Sequence, residues 1–122
     1  MSIARTIFTC LAIAAATPAW AQGDVAAGQV VFKKCLLCHT AEPGKNKIGP
    51  SLFGIVGRES ATIPGFAYSP AMKNFNKVWT QDELFTYLAA PMKIVQGTKM
   101  AFPGLPSADD RHDVIAYLDS LK

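Results

Sequence analysis

The stretch KKCLLCHT, residues 33–40, holds two of the three cysteines and one of the two histidines of this 122-residue chain. Cys35 and Cys38 are separated by two residues, and His39 follows directly. This spacing lets one helical turn present both thiols on one side, with the imidazole beside them. The concentration of reactive side chains predicts that this short segment carries the chemistry of the protein.

Three kinds of site use such a segment. A structural zinc site needs four ligands, and outside the segment only His112 and carboxylates remain as donors. A redox-active cysteine pair belongs to a thioredoxin-like βαβ context, and no strand pattern precedes the motif. The C-x-x-C-H pattern is typical of c-type haem attachment, in which both thiols form thioethers and the histidine ligates the iron. The haem interpretation is favoured, because it also supplies apolar surface to a small domain.

The N-terminus has the pattern of a secretory signal peptide. Arg5 provides a positive charge, residues 7–16 are apolar or small, and Ala19-Trp20-Ala21 is an A-x-A cleavage site. The apolar run is too short to span a bilayer. We therefore expect residues 1–21 to be removed and residues 22–122 to form one domain in the bacterial periplasm, without stable membrane insertion. Cleavage would leave only the cysteines of the C-x-x-C pair.

Helix signals recur along the remaining chain, and no run alternates convincingly as a strand. The predicted starts are Asp24 before a helix to about Cys35, Ser69 before a short helix at 70–75, Thr80 in a T-x-x-E capping box, and Ser107 before the last helix. Pro91 ends the third helix and can begin another turn. These signals predict an all-α domain of four to five helices, with long loops wrapped around one covalently bound haem.

The second axial position of the iron separates the possible chemistries. An open position would bind a gas or activate peroxide, whereas a side-chain ligand makes the iron an electron relay. The candidates are Met72, Met92, Met100 and His112. Met72 and Met92 are expected to fill core gaps, and His112 is expected to be solvated on the polar flank of the last helix. The sequence favours Met100, because the glycines and prolines of QGTKMAFPGLP, residues 96–106, form a stiffened loop.

Several motifs occur together in one order: CLLCHT, IGPSLFGIVGR, PGFAYSPAMK, Trp79, YLAAP and GTKMAF. With them, nearly the whole chain after the leader resembles the class I cytochromes c, specifically the small soluble mitochondrial type and its bacterial relatives. There are two departures from the mitochondrial pattern. Met72 stands where those proteins usually have a polar residue near the haem, and the loop after His39 is one residue shorter.

The resemblance implies roles for individual side chains. His39 and Met100 match the axial ligands, and Pro50 matches the proline whose carbonyl accepts the other N–H of the ligand histidine. The remaining matches are Arg58, Tyr68 and Trp79 near a haem propionate, Tyr87 beside the methionine sulfur, Phe102 at the haem edge, and Gly28, Phe32 and Tyr117 between the first and last helices. Cofactor binding is therefore expected from residues spread over most of the domain.

The function implied by the resemblance is one-electron transport by a mono-haem protein that is not an enzyme. Two other hypotheses stay open: a haem enzyme or sensor with a vacant iron position, and an attachment domain of a larger redox complex. The sequence does not identify the donor, the acceptor or the pathway, respiratory or other.

The charge pattern bears on the partners of the protein. Without the leader, eleven basic residues face nine acidic ones, and nine of the eleven are lysines. Lysines flank the haem motif and the Met100 loop, whereas four aspartates lie on the last helix. We expect a monomer that docks on acidic patches of redox proteins. The excess of positive charge is too mild to support nucleic-acid binding.

Overall fold

The computed structural model describes residues 10–15 and 23–122. The helices of these ranges are α1 (Val25–Phe32), α2 (Pro70–Lys73), α3 (Gln81–Ala89), α4 (Pro91–Ile94) and α5 (Ala108–Asp119). The same residues form no strand, only an isolated antiparallel bridge between Glu59 and Val78. The predicted all-α domain of four to five helices is confirmed.

Most of the predicted signal peptide lies outside the described residues. In residues 10–15 the backbone is not helical, and the side chains of Leu11 and Ile13 are 84% and 88% exposed. These apolar side chains therefore add nothing to the core, and cleavage after Ala21 stays a prediction. Among the described residues, no helix has the length and apolar character needed to cross a membrane.

The first and last helices pack closely against each other. A Cβ atom on Gly28 would lie 1.9 Å from the backbone oxygen of Asp113, so only glycine fits this crossing. Next to it, the rings of Phe32 and Tyr117 lie 5.1 Å apart between centroids. The helix contact implied by the resemblance is confirmed. Asp24 strengthens it, because its backbone N–H donates to Asp113 Oδ1 (2.8 Å) while its own carboxylate caps α1.

Hydroxyl side chains start three of the helices. Ser69, Thr80 and Ser107 each accept a hydrogen bond from the backbone N–H three residues further on, at 3.0–3.2 Å. The capping box predicted at Thr80 is only half formed, since the Thr80 N–H donates to the Val78 carbonyl instead of the Glu83 side chain. The start positions were thus correct, although one detail of the cap was not.

The end of α1 differs from the prediction. The helix stops at Phe32 and not near Cys35, and the chain continues in tighter turns with a Cys35 N–H to Phe32 C=O bond of 2.8 Å. Two α-type bonds occur among these turns, from the Leu36 N–H to the Phe32 carbonyl (3.2 Å) and from the His39 N–H to the Cys35 carbonyl (2.8 Å). The C-x-x-C-H segment therefore lies on its own turn after the helix.

Candidate cofactor site

A cavity of about 600 Å³ lies inside the domain. Its walls include all ten residues that the sequence assigns to the cofactor: Cys35, Cys38, His39, Pro50, Arg58, Tyr68, Trp79, Tyr87, Met100 and Phe102. Most of the remaining wall is apolar, from α3, α5 and the loops between the helices. These ten residues, spread over positions 35–102, are thus brought around one space.

The position of the cavity distinguishes among the four candidate iron ligands. Met72 and Met100 line it, whereas Met92 and His112 do not. His112 is half-buried, with its ring stacked on Phe85 at 4.5 Å between centroids, so the prediction of a solvated histidine is wrong. The packing of α5 on α3 offers the aromatic face of Phe85 to this imidazole.

His39 is oriented by a short hydrogen bond. Its Nδ1 lies 2.7 Å from the Pro50 carbonyl oxygen. Because a carbonyl only accepts, Nδ1 carries the proton and Nε2 keeps a free lone pair. Burial lowers the pKa of His39 below its usual value. The positive charges of Arg58 and Lys47 lower this pKa further, whereas the hydrogen bond to Pro50 raises it by less than the burial lowers it. The neutral imidazole, the form that ligates metals, is therefore favoured.

Gly49 lies close against the His39 ring. A Cβ atom on Gly49 would lie 2.4 Å from His39 Cε1 and 2.7 Å from Nδ1. The Gly49 N–H donates to the Cys38 carbonyl at 2.7 Å, which brings the two backbones together. The Gly-Pro pair at 49–50 signals a loop and the resemblance implies the bond from His39 to Pro50, but the contact of Gly49 with the histidine ring cannot be read from the sequence.

Two buried hydroxyls hold the loop that follows His39. Thr40 and Ser51 are 6% and 2% exposed. The Thr40 Oγ1 donates to the Lys45 carbonyl at 2.6 Å, and the Ser51 Oγ donates to the Glu42 carbonyl at 2.5 Å. These bonds satisfy buried polar atoms and close the loop on itself. Sequence reasoning gave neither residue a role, although Thr40 lies in the CLLCHT motif and Ser51 in IGPSLFGIVGR.

The cysteine pair lies on the turn beside His39. Both side chains are half-buried, and the two thiols are not joined in a disulfide. Burial raises the pKa of Cys35 to about 11, against a lowering influence of Lys34. Both thiols are therefore available for bonds to a group in the cavity.

Met100 is held by the hydroxyl group of Tyr87. The Tyr87 hydroxyl lies 3.3 Å from Met100 Sδ and donates to it. Burial raises the pKa of Tyr87 to about 12, so the hydroxyl keeps its proton at physiological pH. The Met100 N–H donates to Thr98 Oγ1 (3.1 Å), and Lys99 Nζ donates to the Ala67 carbonyl (3.2 Å). The methionine loop is thus tied to α3 and to the loop before α2.

Polar groups gather on the cavity wall near Arg58. Its guanidinium is half-buried and donates to the carbonyls of Ser51 (3.0 Å) and Phe53 (3.3 Å). The Tyr68 hydroxyl accepts the Ile63 N–H at 3.1 Å and still has its own proton to donate. Trp79, buried against Tyr87, contributes an indole N–H donor to the cavity lining. A cation with two donor side chains suits an anionic group.

Comparison with known proteins identifies the fold family. The family model "Cytochrome c" matches residues 25–122. The chain is 52% identical over 101 residues to cytochrome c2 of Rhodopila globiformis, covering 82% of this chain and 95% of that protein. It is 50% identical over 99 residues to cytochrome c type-1 of Ascaris suum, covering 80% and 88%. This chain belongs to the cytochrome c family.

A solved structure agrees with the family assignment. Cytochrome cH from Methylobacterium extorquens superposes with a TM-score of 0.76 at 43% identity, covering 80% of this chain and 99% of that one. As a cytochrome c, the chain carries one covalently bound haem c with its iron and is an electron-transfer protein, not an enzyme. The resemblance to class I cytochromes c and the expected cofactor are confirmed.

The cavity of this cytochrome c fits the group that the family implies. It is large enough for a drug-sized or larger planar ligand, its wall is mainly apolar, and thiol, imidazole and thioether side chains all reach it. The Arg58 region provides the charge that the carboxylates of a haem would need. Several wall residues were not predicted individually: Leu52, Ile55, Phe66, Leu88 and Leu105. Leu88 shares the apolar face of α3, whereas the loop positions show no distinguishing pattern.

Proposed function

We propose that this cytochrome c holds its haem through Cys35 and Cys38 and its iron through His39 and Met100. The observation that supports this most is the division among the candidate ligands, since Met100 and His39 line the cavity but Met92 and His112 lie outside it. Met72 also lines the cavity. The hydrogen bond from Tyr87 orients the sulfur of Met100, and Met72 has no such contact among the described residues.

The haem supplies an iron that alternates between Fe(III) and Fe(II). The protein supplies fixed surroundings for that change. The hydrogen bond to Pro50 holds His39, and the hydrogen bond from Tyr87 holds Met100. Neither side chain therefore has to move far when the charge of the iron changes. The apolar wall limits the access of water, which helps to set the potential. A thioether ligand raises that potential relative to a second histidine.

The remaining cofactor contacts follow from the same cavity. We assign Arg58, Tyr68 and Trp79 to a haem propionate, because they bring a cation and two donors to one part of the wall. Phe102 is assigned to the haem edge and Tyr87 to the methionine sulfur. Burial of the propionate carboxylate without a partner would cost free energy. In this assignment Arg58 offsets its charge, and Tyr68 and Trp79 donate hydrogen bonds to it.

We propose export to the periplasm, with cleavage after Ala21 and a domain of residues 22–122. The leader pattern and the start of the family match at residue 25 support this division. Mass spectrometry of the protein from the periplasmic fraction tests it. The expected N-terminus is Gln22, and a protein that retains Met1 would contradict the proposal.

The mouth of the cavity supports docking of a monomer on acidic redox proteins. Leu37 and Ile48 both line the cavity and are each 79% exposed. Lys34 and Lys99 line the same cavity. An apolar centre with lysines around it would combine fast electrostatic steering with short-range contact. Glu59 is the one acidic residue among the described residues of this lining, whereas four of the acidic residues of the domain lie on α5.

Replacement of Met100 tests the ligation. In M100A, we expect complete loss of the weak red absorption band of methionine bound to ferric iron, a lower potential, and binding of carbon monoxide by the reduced protein. The wild type should show the band and exclude carbon monoxide. M92A is the matched control, because Met92 is a methionine outside the cavity lining. A wild type that binds carbon monoxide readily would favour the sensor hypothesis with a vacant position.

Salt dependence tests the docking surface. The rate of electron transfer to an acidic redox protein should fall as salt is added, and K34Q should lower the rate at low salt. K122Q serves as the control, because Lys122 lies at the end of the domain and outside the cavity lining. Equal effects of the two substitutions would contradict docking at the cavity mouth. Sedimentation of the haem-loaded protein checks that it is a monomer.

A further inference from the structure

The loop that carries Met100 is attached to α5 by one arginine. Arg111 lies in the second turn of α5, and its side chain reaches back along the chain. Its Nη1 donates to the carbonyl oxygens of Leu105 (2.6 Å) and Pro106 (3.1 Å). Hydrogen bonds from a guanidinium are charge-assisted and stronger than those between neutral groups. The end of the methionine loop is therefore held by a cation from the last helix.

The guanidinium of Arg111 is itself fixed by α3. Its Cζ lies 4.3 Å from the centroid of the Phe85 ring, and the His112 ring stacks on the same phenylalanine. Its Nε is buried and has no hydrogen-bond partner among the described residues. This part of the side chain is shielded from water, which strengthens the electrostatic attraction to the carbonyls. The arginine is thus held by aromatic packing as well as by its bonds to the loop.

Leu105, whose carbonyl accepts the hydrogen bond from Arg111, is also part of the cavity wall. Leu105 is 1% exposed and lines the cavity, and its N–H donates to the Leu88 carbonyl at 2.7 Å. The preceding Gly104 passes so close to α3 that a Cβ atom would lie 2.4 Å from the Ala89 oxygen. Leu105 is therefore held by α3 through its N–H and by α5 through its carbonyl.

We propose that Arg111 is a positioning residue for the Met100 ligand. Leu105 lies five residues after Met100, and the prolines at 103 and 106 limit how far the segment between them can relax. With its carbonyl held by Arg111 and Lys99 held by Ala67, the loop is fixed on both sides of the methionine. Loss of the guanidinium frees one side, and the sulfur leaves the iron more often. This inference rests on the proposed ligation by Met100.

The test compares R111Q, R111K and I115A as haem-loaded proteins. Ile115 is buried in the same helix but does not line the cavity, so I115A lowers overall stability while keeping the guanidinium of Arg111 and both of its carbonyl acceptors. In R111Q we expect a weaker red band, carbon monoxide binding to the reduced protein at least about tenfold faster, and a similar acceleration of hydrogen exchange at the Leu105 amide. R111K should lie between R111Q and the wild type, because an ammonium lacks the planar fork of arginine.

Each result decides between the proposals. A graded order of wild type, R111K and R111Q, with I115A close to the wild type in band and carbon monoxide binding, supports positioning by Arg111. If the wild type shows the band and R111Q resembles I115A in all three measurements, positioning is overturned while ligation by Met100 stands. A wild type without the band overturns the ligation, and this inference with it. If R111Q gives no haem-loaded protein, R111K compared with I115A decides in the same way.

Discussion

The two segments that carry the proposed iron ligands are held in different ways. The histidine segment, residues 35–51, is closed by hydrogen bonds within itself, which span at most 11 positions of the chain, as between His39 and Pro50. The methionine segment, residues 95–106, is held by partners elsewhere, including a lysine contact across 32 positions. Short loops cost less entropy to close than long ones.

This difference predicts which of the two segments opens first when the domain is destabilised. The histidine segment should keep its shape when the helices loosen, because its bonds do not depend on them. The methionine segment needs α3, α5 and the loop at residue 67 to be in place at once. Partial opening of the domain should therefore release the methionine before the histidine. The following substitutions test this contrast, in order of decreasing effect.

The largest loss of stability is expected from G49A, which perturbs the histidine segment. The new Cβ would overlap the His39 ring, so the bond to Pro50 must break or the backbone must move. We expect a loss of about 3 kcal/mol or more in the free energy of unfolding, with little haem-loaded protein. G44A is the control, because its Cβ would meet nothing and only its φ of +71° is strained, at about 1 kcal/mol. Equal losses in thermal unfolding would contradict the contact.

G104A should affect the methionine segment with a smaller loss. Its φ of +109° and the approach of Ala89 oppose a side chain, and we expect about 2 to 3 kcal/mol. The haem should stay bound while the red band weakens. G97A is the control, because its φ of +92° carries similar strain, but its Cβ would meet Ala71 only at 3.4 Å. The prediction is wrong if G97A weakens the band as much as G104A.

Tyr87 should give the methionine segment a pH dependence at high pH. Burial raises its pKa from 10.0 to about 12, so between these values the unfolded chain loses a proton that the folded protein keeps. Stability therefore falls as pH rises from about 10 to 12, by about 2 kcal/mol in total. Y87F lacks this ionisation, and its loss over the same range should be smaller by that amount. Parallel curves from denaturant unfolding would refute the assignment.

The smallest effect is expected from K99M. Lys99 is exposed, and its contact with Ala67 spans water-accessible surface. We expect at most about 0.5 kcal/mol in stability, together with a slight weakening of the red band. K93M is the control on the same part of the chain, because Lys93 is also exposed and does not line the cavity. A large loss in K99M alone would show that this tie matters more than those from α3 and α5.

Local features were predicted well because their causes are local. The hydroxyl caps at Ser69, Thr80 and Ser107 act within three residues, and all three helices begin where the pattern indicated. The sequence pattern predicts an end of α1 near Cys35 whereas the helix ends at Phe32, because turns after a helix depend on what they pack against. His112 was expected in solvent for a similar reason, because the face of Phe85 is supplied by another helix.

The attachment motif and the helix starts follow from the sequence alone, because they depend on residue type and short spacing, which the chain displays directly. Most of the residues expected to face the cofactor are assigned by the resemblance to class I cytochromes c. The tertiary structure alone decided that Gly49 lies against His39, that Met92 is excluded from the cavity, and that Arg111 holds the methionine loop. Each of these contacts joins surfaces whose distance is set by how the helices and loops pack, and no local pattern encodes that packing.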